Sequence, residues 1–312
     1  VRGAVGAELV KYTVIPETIR SNNLGLTNSA QIFRGDIEQD VESYFAEILI
    51  PIIGPAQGLP GINSFDLNIS VRRDDYPLFG STTNPKVGFD WEVLEGLKLR
   101  ASFSESFVAP PMSTTADQYT FSQHGASGGR LSIPIAFYPE ARQLPGCENE
   151  TVFCVVGTGT PRLGMRRLGT DPNMEPQTGK SWSVGFDLAP TDLPGRLSVT
   201  YFENQFRGGV TSGNNNMIVN APGERHKLTL FPNGATQAQI NALARGNPLT
   251  SELPPTVYFF ANNDMANVVN LDISGWDVQG DYTIDTSGIG SFRLGGAVTY
   301  FDSFDQFFGK GG

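Results

Sequence analysis

The chain has 312 residues, of which 17% are charged, and its formal net charge is −10 at pH 7. So acidic a chain, without any basic cluster, does not fit a nucleic-acid-binding protein. No apolar run reaches about 18 residues, which excludes a transmembrane helix but not a membrane-spanning barrel, whose strands need only about 9–11 residues. Abundant Gly (36), Phe (21) and Pro (21) favour an all-β architecture.

Alternating apolar and polar residues recur along the chain and predict a series of β-strands. In the segment SFDLNISVRRD, the alternation continues without a break as far as Val71. The pattern slips by one residue near Gly275, which predicts a β-bulge, and it is weakest at the start of the chain. The predicted strands cover residues 2–13, 44–52, 64–74, 84–93, 97–107, 180–190, 195–208, 268–284 and 291–306.

The predicted connections are alternately short and long. Two of them, residues 108–179 and 209–267, are much longer than the connections of a compact soluble domain. Short turns on one side and long loops on the other are typical of an up-and-down outer-membrane barrel. We therefore predict an all-β, antiparallel transmembrane β-barrel, present as a partial barrel of about eight or nine strands. A soluble all-β protein is the alternative, because its strands alternate in the same way with the apolar face inward.

Aromatic residues near the predicted strand ends fit the two interfacial girdles of such a barrel. Ordinary core aromatics of a soluble protein are the alternative interpretation. These residues are Phe107, Trp182 and Tyr300 at one end of the strands and Trp91 and Tyr282 at the other.

Five stretches resemble, in the same order, segments of the TonB-dependent outer-membrane receptors. The longest, NPKVGFDWEVLEGLKLRASFSESFVAPPM, is similar to a P-K-x-G strand, a tight turn and an L-x-L-R-x-S-x-S-x-x-F-x-A-P strand. One detail departs from the family pattern, because Glu175 precedes Pro176 where the family has Pro-Glu. The other stretches are SYFAEILIPI, MEPQTGKSWSVGFDLAP, RLSVTYFENQFRGGV and NVVNLDISGWDVQGDY, and the resemblance extends over most of residues 40–306.

The resemblance implies a barrel of about 22 strands closed by an N-terminal plug. It implies a receptor in the outer membrane of a Gram-negative bacterium that takes up a scarce nutrient, such as a ferric siderophore, a vitamin or a saccharide. The implied partners are outer-membrane lipid, the TonB complex acting through the plug region, and the small-molecule ligand; no cofactor and no enzymatic activity are implied. A passive porin-type channel is the alternative function, and a soluble carbohydrate-binding protein or carbohydrate-active enzyme is a third.

The chain departs from a complete receptor in two respects. Neither a plug nor a TonB box is found in it, and nine strands is an odd number, whereas bacterial single-chain barrels have an even one. If residues 97–107 run outward, the last predicted strand also runs outward, and FFGKGG lacks the family's terminal aromatic residue. We therefore expect residues 1–312 to be an internal part of the barrel domain, with the plug domain absent.

Candidate ligand contacts lie in the predicted long extracellular loop 108–179, because loops held by a rigid sheet commonly carry binding residues. Aromatic rings offer flat apolar surface and guanidinium groups pair with carboxylates or phosphates, so these residues suit an anionic or aromatic ligand. Packing within the loop is the alternative role of each. The candidates are Tyr119, Phe121, His124, Arg130, Tyr138, Arg142, Arg166 and Arg167.

Four basic residues on polar strand faces are predicted to point into the barrel lumen. In a receptor of the resembled family such residues meet the plug, so the resemblance implies plug contacts first and a lining of the transport path second. The four residues are Lys98, Arg100, Arg196 and Arg293.

Cys147 and Cys154 are the only cysteines, and a local pair in a loop-like segment favours a disulfide over two free thiols. No Cys/His spacing typical of zinc, no nucleophile elbow and no phosphate loop is found, so we predict neither a metal site nor a catalytic site. Residues 236–246 predict a short helix, capped by Thr236 and ended by Gly246, that is either a structural insert or an element enclosing the ligand.

Overall fold

The computed structural model of the chain consists mainly of β-strands. It describes residues 1–14, 20–21, 30–31, 37–54, 57, 59–77, 79–112, 119–124, 130–157, 160–171, 173–212, 219, 228–244, 253–286 and 288–309. In chain order the strands are β1 (Arg2–Val14), β2 (Arg20–Ser21), β3 (Ala30–Gln31), β4 (Ile37–Ile53), β5 (Ser64–Tyr76), β6 (Gly80–Leu94), β7 (Leu97–Val108), β8 (Tyr119–His124), β9 (Arg130–Pro134), β10 (Phe153–Gly157), β11 (Gly164–Gly169), β12 (Gln177–Leu188), β13 (Gly195–Ser212), β14 (Leu228–Leu230), β15 (Phe259–Asn262), β16 (Met265–Thr286) and β17 (Gly290–Phe308). A 3-10 helix covers Pro139–Gln143, and helix α1 covers Gln237–Ala244.

Nine strands form one open antiparallel sheet in the order β1-β4-β5-β6-β7-β12-β13-β16-β17. Each strand pairs with the next one in this order, and β1 and β17 stand at the two edges. This is the partial up-and-down barrel that the alternation predicted. Strand β1, whose pattern was the weakest, pairs with β4 along its whole length from Arg2 to Val14.

The connections between these strands emerge alternately at the two ends of the sheet. One end has the connections 54–63, 95–96, 189–194 and 287–289, and the other has 15–36, 77–79, 109–176 and 213–264. The connection 77–79 is shorter than the predicted 75–83, because β5 and β6 continue as far as Tyr76 and Gly80. Gly80 has a φ of 80°, and this left-handed conformation lets the chain reverse tightly.

The register between β16 and β17 shifts at Gly275, where a bulge is predicted, but the extra residue is Asp302 of β17. Strand β16 itself pairs with β13 without a shift at this position. A Cβ at Gly275 would stand 2.4 Å from the carbonyl oxygen of Tyr300 and 3.0 Å from the ring of Phe202. Phe202 and Phe301 meet edge to face beside it, with ring centroids 6.3 Å apart. Glycine is therefore the residue that allows the bulged strand and the aromatic pair to approach this closely.

The two faces of the sheet differ in chemistry. On one face, large apolar side chains such as Val184 (48% exposed) and Val298 (66%) have no covering layer in the described part of the chain. A row of aromatic rings crosses this apolar face, with Tyr201 5.3 Å from Trp182 and 5.1 Å from Trp276 between centroids. An exposed apolar face of this extent fits contact with lipid and not with water.

The two longest connections, 109–176 and 213–264, meet in a separate folded unit, which we call the loop lobe. Its larger sheet has the order β14-β15-β11-β8, and β9 pairs with β10 beside it. Helix α1 begins with a capping box, in which the Gln239 backbone N–H donates to Thr236 Oγ1 and the Thr236 N–H donates to Gln239 Oε1. The predicted cap at Thr236 is thus confirmed, whereas Gly246 lies outside the described residues. Among the described residues, no helix has the length and hydropathy needed to cross a bilayer.

Candidate functional site

The polar face of the sheet carries a chain of charged residues near the end with the short connections. Arg100 on β7 lies at its centre, with Nε 3.1 Å from Asp187 Oδ2 and Nη2 2.9 Å from Ser198 Oγ and 2.6 Å from Thr200 Oγ1. Its guanidinium therefore reaches across β12 to β13. Such charge-assisted bonds hold the side chain in one orientation.

A glycine opens the path for this arginine. Gly185 on β12 is paired with Arg100 of β7 on one side and with Thr200 of β13 on the other. A Cβ at Gly185 would lie 2.5 Å from the Val199 carbonyl oxygen and 3.0 Å from Thr200 Oγ1. No larger residue fits at this position without displacing the strand or the hydroxyl that Arg100 binds.

Two further arginines converge on one carboxylate. Arg196 Nη2 is 3.0 Å from Asp281 Oδ1, and Arg293 binds the same group in a bidentate manner, with Nε 3.1 Å from Oδ2 and Nη2 2.9 Å from Oδ1. The three side chains carry a formal charge of +1 together. A cleft of about 280 Å³ lies between this cluster and Asp187.

The structure places the four predicted lumen residues on a single face. Lys98 and Arg100 share the polar face of β7, and Lys98 stands opposite Asp187 on β12 and Glu92 on β6. Alternation alone predicted this face. It did not predict that Arg100, Arg196 and Arg293 would be engaged with carboxylates of the same sheet, because those partners come from other strands.

The predicted ligand contacts fall into different places in the loop lobe. Tyr119, Phe121 and His124 belong to β8, at register positions opposite Gly169, Arg167 and Gly164 of β11. Among the other candidates, Arg130 at the start of β9 is exposed and Arg166 on β11 is half-buried. Arg142 is exposed, and its Nε donates to the Glu150 carbonyl oxygen.

Tyr138 and Arg167 are corrections to the predicted set, because both side chains are buried inside the lobe. Tyr138 is 3% exposed and belongs to a hydrophobic cluster. Arg167 is 4% exposed and forms a bidentate ion pair with Asp264, while its guanidinium stacks over the Phe260 ring at 5.7 Å. These contacts assign both residues to the interior of the lobe and not to its surface.

Three polar residues at the start of β16 are structurally important and were not predicted. Asp264 pairs with Arg167, and Asn267 Nδ2 donates to the carbonyl oxygens of Glu175 and Gly208 at 2.6 and 2.7 Å. Asn270 Nδ2 donates to the Gly309 carbonyl oxygen at 3.0 Å. The only sequence signal was a cluster of polar residues in NNDMANVVN, where the regular alternation of the strand has not yet begun.

Cys147 and Cys154 form a disulfide whose two residues are fully buried in the lobe. The adjacent turn is held by Glu148, whose carboxylate accepts a hydrogen bond from the Gly146 backbone N–H at 2.9 Å. This bond is the main reason that the pKa of Glu148 lies below its usual value of 4.5, and a hydrogen bond from the backbone N–H of Glu148 itself is the second. Within the described ranges, no group of three or more His, Cys, Asp or Glu side chains is arranged to hold a metal ion.

The chain matches one family model and several solved structures. The model described as TonB dependent receptor-like, beta-barrel, matches residues 4–311. The siderophore receptor PirA from Acinetobacter baumannii is 15% identical, with a TM-score of 0.56 over 96% of this chain and 34% of that one. A mutant of the ferric enterobactin receptor PfeA from Pseudomonas aeruginosa, in complex with enterobactin, is also 15% identical, with a TM-score of 0.56 over 96% and 33%. No curated protein matches.

These likenesses differ in what they establish. At 15% identity the two solved structures show the fold alone, and the chain spans about a third of their length. The family model, in contrast, covers nearly every residue of the chain, from 4 to 311, including the sheet and the loop lobe. The chain therefore belongs to the TonB-dependent receptor β-barrel family.

Proposed function

We propose that the chain is part of an outer-membrane receptor of a Gram-negative bacterium that takes up a scarce nutrient with energy from the TonB complex. The observation that carries this proposal is the family match over residues 4–311. The exposed apolar face of the sheet supports it, because a barrel in lipid needs such an outer surface. The receptor works by binding and passage of its ligand, so we propose no enzymatic step.

We propose a ferric siderophore as the ligand class. Two proteins of the same fold are named as a siderophore receptor and a ferric enterobactin receptor. Arg130 and Arg166 in the loop lobe support an anionic ligand, because guanidinium groups pair with carboxylates and phenolates. Tyr119, Phe121 and His124 on the neighbouring strand β8 complete the proposed contact region; a vitamin or a saccharide is the alternative ligand.

We propose that the polar face meets the plug in the full-length receptor. Arg196, Arg293 and Asp281 leave one positive charge in excess, and their arginine side chains are 63% and 60% exposed. An acidic group of a plug would balance this charge. Lys98 and Arg100 on β7 continue the same polar surface.

A growth experiment tests the proposal. The complete gene is deleted, and growth is measured under iron limitation with ferric enterobactin as the iron source, and on defined carbon sources. We expect a growth defect only under iron limitation, restored by the full-length gene and abolished again by deletion of tonB. The double variant R130M/R166M should lower uptake of radiolabelled ferric enterobactin, whereas R73M, on strand β5 of the main sheet, should not.

Three outcomes would overturn parts of this proposal. Uptake that continues without TonB indicates a passive channel. A defect on a carbon source but not under iron limitation indicates a saccharide ligand. Recovery of the full-length protein in the soluble fraction contradicts the membrane assignment itself.

A further inference from the structure

We infer that the two long connections of the receptor act as one cooperative body, the loop lobe, which is fastened to the start of β16 and folds and unfolds as a unit. The alternative is two independent loops, one between β7 and β12 and one between β13 and β16. The inference goes beyond the proposed uptake function, because it concerns the lobe and holds whatever ligand the receptor takes up.

The lobe's larger sheet is built from both connections. Strand β11 of the first connection pairs in parallel with β15 of the second, from Gly164 opposite Phe259 to Arg167 opposite Asn262. Strand β11 also pairs with β8 of its own connection, and β15 pairs with β14 of its own. Backbone hydrogen bonds therefore join the two connections at the centre of the sheet, where a separation would break a complete ladder.

The hydrophobic interior is shared in the same way. In one cluster, Leu131, Ile133 and the buried disulfide of the first connection pack with Leu228 and Phe259 of the second. In the other, Met165 of the first connection packs among Phe231, Ile240, Val257 and Phe260 of the second. Each cluster thus contains residues of both connections, so the folded state of each connection depends on contacts with the other.

A buried ion pair joins the two connections where they meet the main sheet. Arg167 and Asp264 are 4% and 2% exposed, and Asp264 is the residue that precedes β16. Around them, the Asn263 N–H donates to the Arg167 carbonyl oxygen at 2.8 Å, and the Asp171 N–H donates to the Met265 carbonyl oxygen at 2.9 Å. Removal of one partner would leave a charge buried without its counter-ion, so the pair is sensitive to substitution.

Hydrogen exchange of the full-length receptor in detergent micelles, read by mass spectrometry, tests this inference. Wild type is compared with R167M in the first connection and F259A in the second. We expect each variant to accelerate exchange about 10-fold or more in peptides from both connections, 131–156 and 228–261, while peptides of β5 to β7 are unchanged. The matched control is R207M, which breaks the half-exposed Arg207–Asp272 pair of the main sheet and should leave exchange in the lobe unaltered.

Each outcome decides the question. Acceleration in both connections from either variant supports the single body. Acceleration confined to the connection that carries the substitution overturns it, because two independent loops behave in this way. Acceleration that extends to β5–β7 also overturns it, because the lobe would then have no cooperativity separate from the barrel. F259A keeps the test decisive if R167M does not fold, because it perturbs the shared core without leaving a charge unpaired.

Discussion

Replacing Leu67 with arginine tests which face of the sheet meets lipid. Leu67 lies on β5 between Ile50 and Phe89 of the neighbouring strands, with Phe65 and Ile69 before and after it on the same face. All five side chains are apolar, so position 67 lies within the apolar band. Arginine at the middle of such a band costs about 2–4 kcal/mol, which is roughly a 30- to 700-fold change in the folding equilibrium.

The adjacent residue is the matched control. Asn68 points to the opposite face, where its Nδ2 donates to Glu47 Oε1 at 3.1 Å and Gly88 stands opposite it without a side chain. Arginine at position 68 has room over Gly88 and a carboxylate to pair with. A partly exposed pair of this kind changes stability by about 1 kcal/mol or less.

Denaturant titration of the full-length receptor, folded into phospholipid vesicles and followed by tryptophan fluorescence, measures both variants. We expect L67R to shift the midpoint strongly or to prevent insertion, and N68R to stay close to wild type. Equal damage by the two substitutions, or a larger effect of N68R, would refute the assignment of the apolar face to lipid.

Three further predictions concern particular contacts. G185A should destabilise the receptor by about 1–3 kcal/mol in the same titration, because the new methyl meets the Val199 carbonyl oxygen, whereas G296A, with no atom within 4 Å of its Cβ, should be neutral. The double variant C147S/C154S should lose about 2–3 kcal/mol of lobe stability, measured as faster proteolysis of residues 130–157, while reductant added to the folded wild type should leave the buried disulfide intact. Because the pKa of Glu148 is lowered in the folded state, its carboxylate stabilises the fold above about pH 4.5. This contribution is lost as the pH falls through the folded-state pKa. The stability difference between wild type and E148Q should therefore shrink in acid; a difference that is constant with pH would contradict this cause.

The residue pattern predicted the main sheet well because the alternation of apolar and polar side chains along a strand can be read directly from the sequence. Side chains two residues apart share a face, so the alternation around Arg100 sufficed to assign that residue to the polar side. The slip near Gly275 predicted the position of the bulge in the sheet but not its strand, because the extra residue, Asp302, belongs to β17. The turn at 77–79 was predicted less well, because alternation of apolar residues stops in β5 before the strand itself ends at Tyr76.

The buried residues of the lobe could not be predicted from local pattern. The sequence predicts Arg167 as a ligand contact, because a guanidinium group in a long loop can pair with an anionic ligand. Its burial depends on Asp264, which lies 97 residues farther along the chain, and on the parallel pairing of β11 with β15. Neither the separation nor the parallel direction leaves a periodic signal in either segment, and Tyr138 is buried by the same long-range assembly.

The paired arginines of the polar face and the loop lobe therefore fall into two groups, which differ in solvent exposure. Arg100, Arg196 and Arg293 are 33%, 63% and 60% exposed, so their carboxylate partners fix orientation but add little to stability. Arg167 is only 4% exposed, so its ion pair with Asp264 decides whether the charge can be buried at all. The first kind of pairing suits a surface that can exchange one polar partner for another, as the proposed plug contact requires. The second suits a joint that must keep two distant parts of the chain together.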